Sequence, residues 1–291
     1  MTYVCNLCPR KCNAIRTEED NIGGFCGMPY KLRIARASKH FWEEPSISGT
    51  DGSGTIFFSG CQLKCTYCQN YDISHKKYGK EVGVERLAEI FKEFEMSGVH
   101  NINLVSPTQF IPLIIEAFDC YKPKVPIVFN TGGYESLETL ESLRKYVDVF
   151  LIDFKYWSYE KSQKYSAAKD YPDIAKSAIT KAYEMVGPPQ YNGEIMTKGV
   201  IVRHLLLPSA TNEAIEIMKW IKNSGMNVVF SLMNQYTVMP NVKNSELCRK
   251  VTKREYNKVL NKMIEMDIDG FVQDESSSSK EFIPPFDLSG V

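Results

Sequence analysis

Three cysteines, Cys61, Cys65 and Cys68, stand at C-x3-C-x2-C spacing directly after a strand-like segment at 55–59. Cysteine thiolate is the usual protein ligand of iron–sulfur clusters, so three thiolates can hold three irons of a cubane. The fourth iron then lacks a protein ligand. A catalytic zinc site follows the same logic, in which one position is withheld so that a substrate can coordinate. An open iron beside a loop points to chemistry at the cluster more than to electron storage. The plainer alternative is a zinc knuckle completed by His75. Zinc sites, however, favour cysteine pairs two to four residues apart and usually close the fourth position.

A second thiolate set precedes the first. Cys5, Cys8, Cys12 and Cys26 form C-x2-C-x3-C-x13-C. Four thiolates suit either a structural zinc ion or a second iron–sulfur cluster, and the spacing leaves both open. Cys120 and Cys248 are isolated and read as packing or surface thiols. Seven of the nine cysteines lie in the first 68 residues. The N-terminus carries no basic stretch followed by an apolar run, so no secretory signal is expected. The thiols are therefore expected to be metal ligands in a reducing cytoplasm, not disulfides.

These sites need a scaffold. A chain of 291 residues that is 43% hydrophobic can build a sizeable α/β core. Its 35 basic and 35 acidic residues cancel. That balance gives no long-range pull toward nucleic acid or an anionic membrane, and no segment is long and apolar enough to span a bilayer. The first fifty residues show little periodicity and read as a metal-stapled module, 1–53. Strands are expected near 55–60, 99–105, 125–130, 147–153, 198–206 and 226–232. Helices are expected near 84–97, 109–119, 135–145, 171–186, 211–223 and 253–266. Leu87, Ile90, Phe91 and Phe94 supply an apolar stripe at helical spacing. Alternating strands and helices predict parallel strands, and six such units would curve into a partly closed barrel over 54–270. The tail, 271–291, holds a low-complexity run at 274–280 and an apolar segment at 282–286 expected to dock back on the body.

In such architectures, functional groups sit at the carboxyl ends of strands. Ser106 and Thr108 follow the second strand and can accept hydrogen bonds from an ammonium group or cap the next helix. Asn130 follows the third and suits a ribose or carboxylate. Alternation points Asp153 and Lys155 to one face of the fourth, opposite Phe154. They can pair with each other or bind a zwitterion. Arg203 and His204 interrupt an apolar fifth strand. A buried cation is costly unless paired, so Arg203 should meet an anion such as Asp153. His204 reads equally as a ligand contact or a core histidine. Ser231, Met233 and Gln235 share one face of the sixth strand.

The cysteine trio with Tyr67 before Cys68 resembles the radical S-adenosylmethionine (SAM) superfamily. That resemblance implies a [4Fe–4S] cluster on Cys61, Cys65 and Cys68, SAM chelating the unique iron, Tyr67 near the adenine and a six-unit partial TIM-type barrel. Ser106-Pro107-Thr108, Asn130-Thr131-Gly132-Gly133-Tyr134, Asp153-Phe154-Lys155, Arg203-His204-Leu205 and Ser231-Leu232-Met233-Asn234-Gln235-Tyr236 resemble one branch, the PflX-like group related to pyruvate formate-lyase activating enzymes. The branch implies SAM contacts from Asp153 and Lys155, and the strand-end chemistry adds Ser106, Thr108, Asn130, Arg203 and Gln235 as expected SAM contacts. It also implies a flavodoxin or ferredoxin as reductant and a polypeptide substrate, as in glycyl radical activation. The chain departs from many activating enzymes after the second strand, where Ser106-Pro107-Thr108 stands in place of Gly-Gly-Glu-Pro. That leaves a small-molecule substrate, or a non-catalytic iron–sulfur or zinc interaction protein, as alternatives.

Overall fold

The computed structural model describes residues 2–273 and 284–291. The expected low-complexity run at 274–280, together with Phe282 and Ile283, lies outside them. In chain order the strands are β1 Tyr3–Cys5, β2 Ala14–Arg16, β3 Asn21–Ile22, β4 Leu32–His40, β5 Ser53–Phe58, β6 Lys80–Val82, β7 Ile102–Val105, β8 Ile127–Thr131, β9 Val149–Asp153, β10 Gln190–Asn192, β11 Ile195–Leu205, β12 Val229–Met233 and β13 Gly270–Val272. The helices are α1 Pro45–Ser48, α2 Tyr71–Ser74, α3 Val84–Met96, α4 Ile111–Cys120, α5 Leu137–Ser142, α6 Tyr159–Ser166, α7 Tyr171–Val186, α8 Thr211–Ser224 and α9 Lys253–Glu265.

The larger sheet is mixed and open, with strand order β13-β12-β11-β9-β8-β7-β5-β4-β6 and β10 paired to β11. From β5 through β13 along this path every pairing is parallel. Parallel strands covered on both faces need near-continuous apolar runs. β5, β7 and β8 are buried at every position, and the polar residues that interrupt their apolar runs, Ser53, Thr55, Asn103, Asn130 and Thr131, are buried with them. Helices cover the sheet through single apolar stripes. On α3 the buried residues include Leu87, Ile90, Phe91 and Phe94, the stripe expected from spacing. On α9 a capping box between Thr252 and Glu255 fixes the start.

One difference from the sequence expectation bears on the site. The sheet includes β4, which pairs antiparallel with β5 and β6 and lies before the expected start at residue 54. A register shift between Ile34 and Arg36 interrupts the alternation that would have announced it. Residues 3–22 form a separate three-stranded antiparallel sheet, β1-β2-β3. The tail returns to β4. Phe286 packs edge-on against Phe57 with centroids 5.6 Å apart, and Leu288 N donates to Ala35 O at 3.0 Å. No helix among the described residues is long and apolar enough to cross a membrane.

Candidate active site

The carboxyl ends of β5, β7, β8, β9, β11 and β12 converge on one cavity of about 200 Å3. Cys61, Cys65, Tyr67, Cys68, Ser106, Asn130, Asp153, Lys155, Arg203 and Gln235 all line it. Chain geometry forces the cysteine loop into place. Gly60 follows β5 at φ 81°, and a Cβ there would lie 2.2 Å from Met28 Cγ, so only glycine fits. Beyond it, Thr66 N donates to Tyr165 O at 2.8 Å and Cys68 N to Cys65 O at 3.0 Å.

Each thiol of the trio receives a hydrogen bond. Leu63 N donates to Cys61 Sγ at 3.3 Å, Ser166 Oγ to Cys65 Sγ at 3.1 Å and Ser74 Oγ to Cys68 Sγ at 3.4 Å. Burial, then the neighbouring Cys65, push Cys61 up, and the same causes push Cys68 up to about 12. These thiols hold their protons until a cation replaces them. Buried thiols sharing one cavity, with donors aimed at sulfur, fit a metal–sulfur group. His75 does not complete a zinc knuckle. Its Nδ1 pairs with Ser74 Oγ at 2.9 Å and its Nε2 with Lys64 O at 3.2 Å. Among the described residues, no three His, Cys, Asp or Glu side chains form a single-ion site.

A charge network forms another wall of the cavity. Arg203 Nε donates to Asp153 Oδ1 at 2.8 Å, Nη1 to Glu43 Oε2 at 3.0 Å and Nη2 to Asn130 Oδ1 at 2.6 Å. Lys155 Nζ meets Asp153 Oδ2 at 2.5 Å. Burial opposes the Asp153 charge, but Arg203 and Lys155 outweigh it and hold the carboxyl low. Burial pushes Glu44 up to about 7 against the pull of Arg203. Glu43 and Glu44 carry no sequence motif and were not expected here. They reach the site because β4 leads the chain across the cavity mouth before α1.

Alternation places Asp153 and Lys155 together as expected, with Phe154 on the opposite face against Trp157 and Trp220. The turn before them is tight. Gly133 adopts φ 79°, and a Cβ there would lie 2.3 Å from Asp153 O. Tyr171 Oη clamps this turn, donating to Asp153 O at 2.7 Å and accepting from Lys155 N at 2.9 Å.

Two expectations, for Thr108 and for the α4 cap, are corrected, and the positions of His204 and Tyr67 are settled. Thr108 does not line this cavity. It is 1% exposed, and its Oγ1 donates to Glu135 Oε1 at 2.8 Å while accepting from Gln62 Nε2 at 3.0 Å. Neither Ser106 nor Thr108 caps α4, whose N-terminus has no side-chain cap. His204 is a core residue, since its Nδ1 pairs with Phe154 O at 2.7 Å and burial lowers its pKa. Tyr67 lines the cavity but packs its ring 6.2 Å from Tyr236 and 6.3 Å from Tyr156 and Tyr165. Its ring is therefore held by three tyrosines.

Several known proteins are similar. A sequence profile described as the Radical SAM superfamily matches residues 55–221, over half of the chain. An uncharacterized protein of Methanocaldococcus jannaschii is 29% identical over 269 residues, covering 88% of this chain and 73% of that protein. The pyruvate formate-lyase-activating enzyme of Clostridium pasteurianum is 25% identical over 248 residues, covering 81% of this chain and 90% of that enzyme. Among solved structures, Streptococcus suis SuiB bound to precursor peptide SuiA aligns with a TM-score of 0.49 at 15% identity, over 74% of this chain and 46% of SuiB. The chain thus spans less than half the length of SuiB.

Proposed function

Because the chain belongs to the radical SAM superfamily, we propose that it is an enzyme that takes a hydrogen atom from a polypeptide, in the manner of the PflX-like activating group. The family implies a [4Fe–4S] cluster and SAM. Bound together and reduced, these supply cleavage of the sulfonium to methionine and a 5′-deoxyadenosyl radical. Cys61, Cys65 and Cys68 would hold the cluster. Lys155 and Asp153 offer opposite charges to the zwitterionic methionine end, Asn130, Ser106 and Gln235 offer hydrogen bonds, and Tyr67 a backbone contact. Arg203 orients Asp153 and Asn130 by binding both. The protein's part is chelation, orientation and exclusion of water.

The observation that carries this reading is the shared cavity, where three hydrogen-bonded thiols face a lysine–aspartate pair. Two further facts support a polypeptide substrate. One is similarity to the activating enzyme of Clostridium pasteurianum. The other is Trp42, which lines the cavity mouth and is 60% exposed. Aromatic side chains of this kind commonly anchor peptide partners.

The proposed organisation is a cysteine-rich segment at 1–53 with its own thiolate site, whose β4 joins the main sheet, then a curved six-unit partial barrel at 54–270 and a docked tail at 271–291. A flavodoxin or ferredoxin in an oxygen-poor cytoplasm would serve as reductant. Protein reconstituted without oxygen and reduced with dithionite should convert SAM to 5′-deoxyadenosine, and Cys65→Ala should abolish this. A candidate glycyl radical enzyme should gain a glycine-centred EPR doublet on incubation. Cleavage without any such doublet would move the substrate to a small molecule. No cleavage by cluster-loaded protein would leave an interaction protein.

A further inference from the structure

We infer that Cys5, Cys8, Cys12 and Cys26 hold a second [4Fe–4S] cluster, ligated by protein at all four irons, and not a zinc ion. This deepens the reading of these cysteines as a metal centre and does not depend on SAM cleavage. The local fold gathers them. β1 ends on Cys5, which pairs with Ala14 of β2. Cys8 and Cys12 lie in the connection between the two strands, which turns through left-handed conformations at Lys11 (φ 43°) and Asn13 (φ 49°). Cys26 arrives from the turn closed by Gly27 N donating to Gly24 O at 3.1 Å. All four line one cavity of about 20 Å3.

That cavity separates the two metals. Zinc sits about 2.3 Å from each thiolate sulfur. Four sulfurs at that distance close on one another and leave no space for a water-sized sphere. Here the four cysteines stand around an open space that admits such a sphere. Among the described residues no three of them, nor any other three His, Cys, Asp or Glu, close to a single-ion site. A cubane keeps its thiolates apart around a metal–sulfide core, and so calls for cysteines that line an open space.

Arg16 is an independent observation that points to the same place. It is 1% exposed. Its Nη1 donates to Cys5 Sγ at 3.6 Å and to Gln109 O at 2.7 Å, and its Nη2 to Pro29 O at 2.6 Å. Among the described residues it meets no carboxylate. A buried guanidinium without an anion is strongly unfavourable. A metal centre bearing four thiolates has net negative charge and supplies the missing counterpart, with an N–H···S bond already aimed at it, so Arg16 locates the metal–thiolate group while the open space selects the cluster.

The second site adjoins the first. Gln62, next to Cys61, lines both cavities. Cys26 O lies 3.5 Å from where a Cβ on Gly60 would stand. With every iron ligated, the outer cluster has no position for SAM. Its EPR signal should therefore ignore SAM.

Metal analysis of the full chain, purified and reconstituted without oxygen, tests this. Wild type should carry about eight irons and no zinc. The variant Cys61→Ala/Cys65→Ala/Cys68→Ala should keep about four irons and four sulfides, with a reduced EPR signal unchanged by SAM. About one zinc per chain with no iron in that variant, or neither metal, would overturn the inference. Should the variant fail to fold, wild type decides alone, because four irons plus one zinc means a zinc site. Wild type holding only four irons that ignore SAM would instead count against the reading of the inner trio and leave the outer cluster standing.

Discussion

Arg203 and Asp153 are register partners on the adjacent parallel strands β11 and β9, and their side chains meet at 2.8 Å between Nε and Oδ1. The pairing fixes the charge balance of the cavity. Arg203 also binds Glu43 at 3.0 Å and lies 3.9 Å from Glu44. One guanidinium thus answers three carboxylates, and Lys155 shares only Asp153. Arg203 is an internal tie, and Lys155 is the cation whose sole ion-pair partner among the described residues lies at the cavity wall.

Removing the tie should be costly. Arg203→Met leaves buried Glu44 and the largely enclosed Glu43 and Asp153 without their main cation, and breaking a buried pair costs roughly 3–5 kcal/mol. Urea unfolding of the variant should show a loss in this range, and Arg203→Lys should recover only part because it cannot fork between three acceptors. A loss below about 1 kcal/mol would mean water reaches these carboxylates freely.

Lys155→Ala should act on SAM, not on the cluster. A hydrogen bond to a charged group is worth about 1.5–3 kcal/mol, which corresponds to a Kd roughly 10–100-fold weaker. Equilibrium binding of SAM to reconstituted protein reads this out, with iron content unchanged. Equal affinity in the two proteins would make Lys155–Asp153 a structural salt bridge only.

Ser166 should tune the inner cluster from the end of α6. Its Oγ donates to Cys65 Sγ at 3.1 Å and pairs with Tyr156 Oη at 2.7 Å. Hydrogen bonds to ligand sulfur raise a cluster's potential. Ser166→Ala should therefore lower it, by on the order of tens of millivolts, while iron content stays constant. An EPR-monitored redox titration with an unmoved midpoint would remove Ser166 from this role.

How far these relationships could be read from sequence depended on local pattern. Helix α3 was legible to within a residue because one amphipathic stripe spans its length. The cysteine trio was legible because its spacing is itself the chemistry. Asp153 and Lys155 followed from strand alternation. Glu43 and Glu44 were invisible, since their role depends on β4 crossing the sheet, and the register shift near Arg36 hides β4. Strands β1 to β3 are two or three residues long and carry no period. Thr108 was misplaced because its position just after β7 suggests the cavity. The turn into a single 3-10 segment, Thr108–Phe110, instead rotates it toward Gln62 and Glu135.

Glu135 sits between the two cysteine sites and should give the protein a specific pH signature. It is 2% exposed, and its Oε1 accepts from Gln62 Nε2 at 2.9 Å, from Thr108 and from Thr131 Oγ1. Burial pushes its carboxyl up to about 7, and the three hydrogen bonds only partly offset this. An acid raised in the folded state binds more protons folded than unfolded between about pH 4.5 and 7. Its contribution is therefore complete at pH 4.5 and lost as pH rises through 7. Metal–thiolate groups bound at the two cysteine sites would add negative charge and push the same way. Glu135→Gln keeps the acceptor and removes the titration. The variant's stability relative to wild type should rise from pH 5 to pH 8 by up to about 3 kcal/mol, the span of the shift at 1.36 kcal/mol per pKa unit. Urea midpoints of both reconstituted proteins at the two pH values measure it. Parallel curves would show that Glu135 is already ionised in the folded protein.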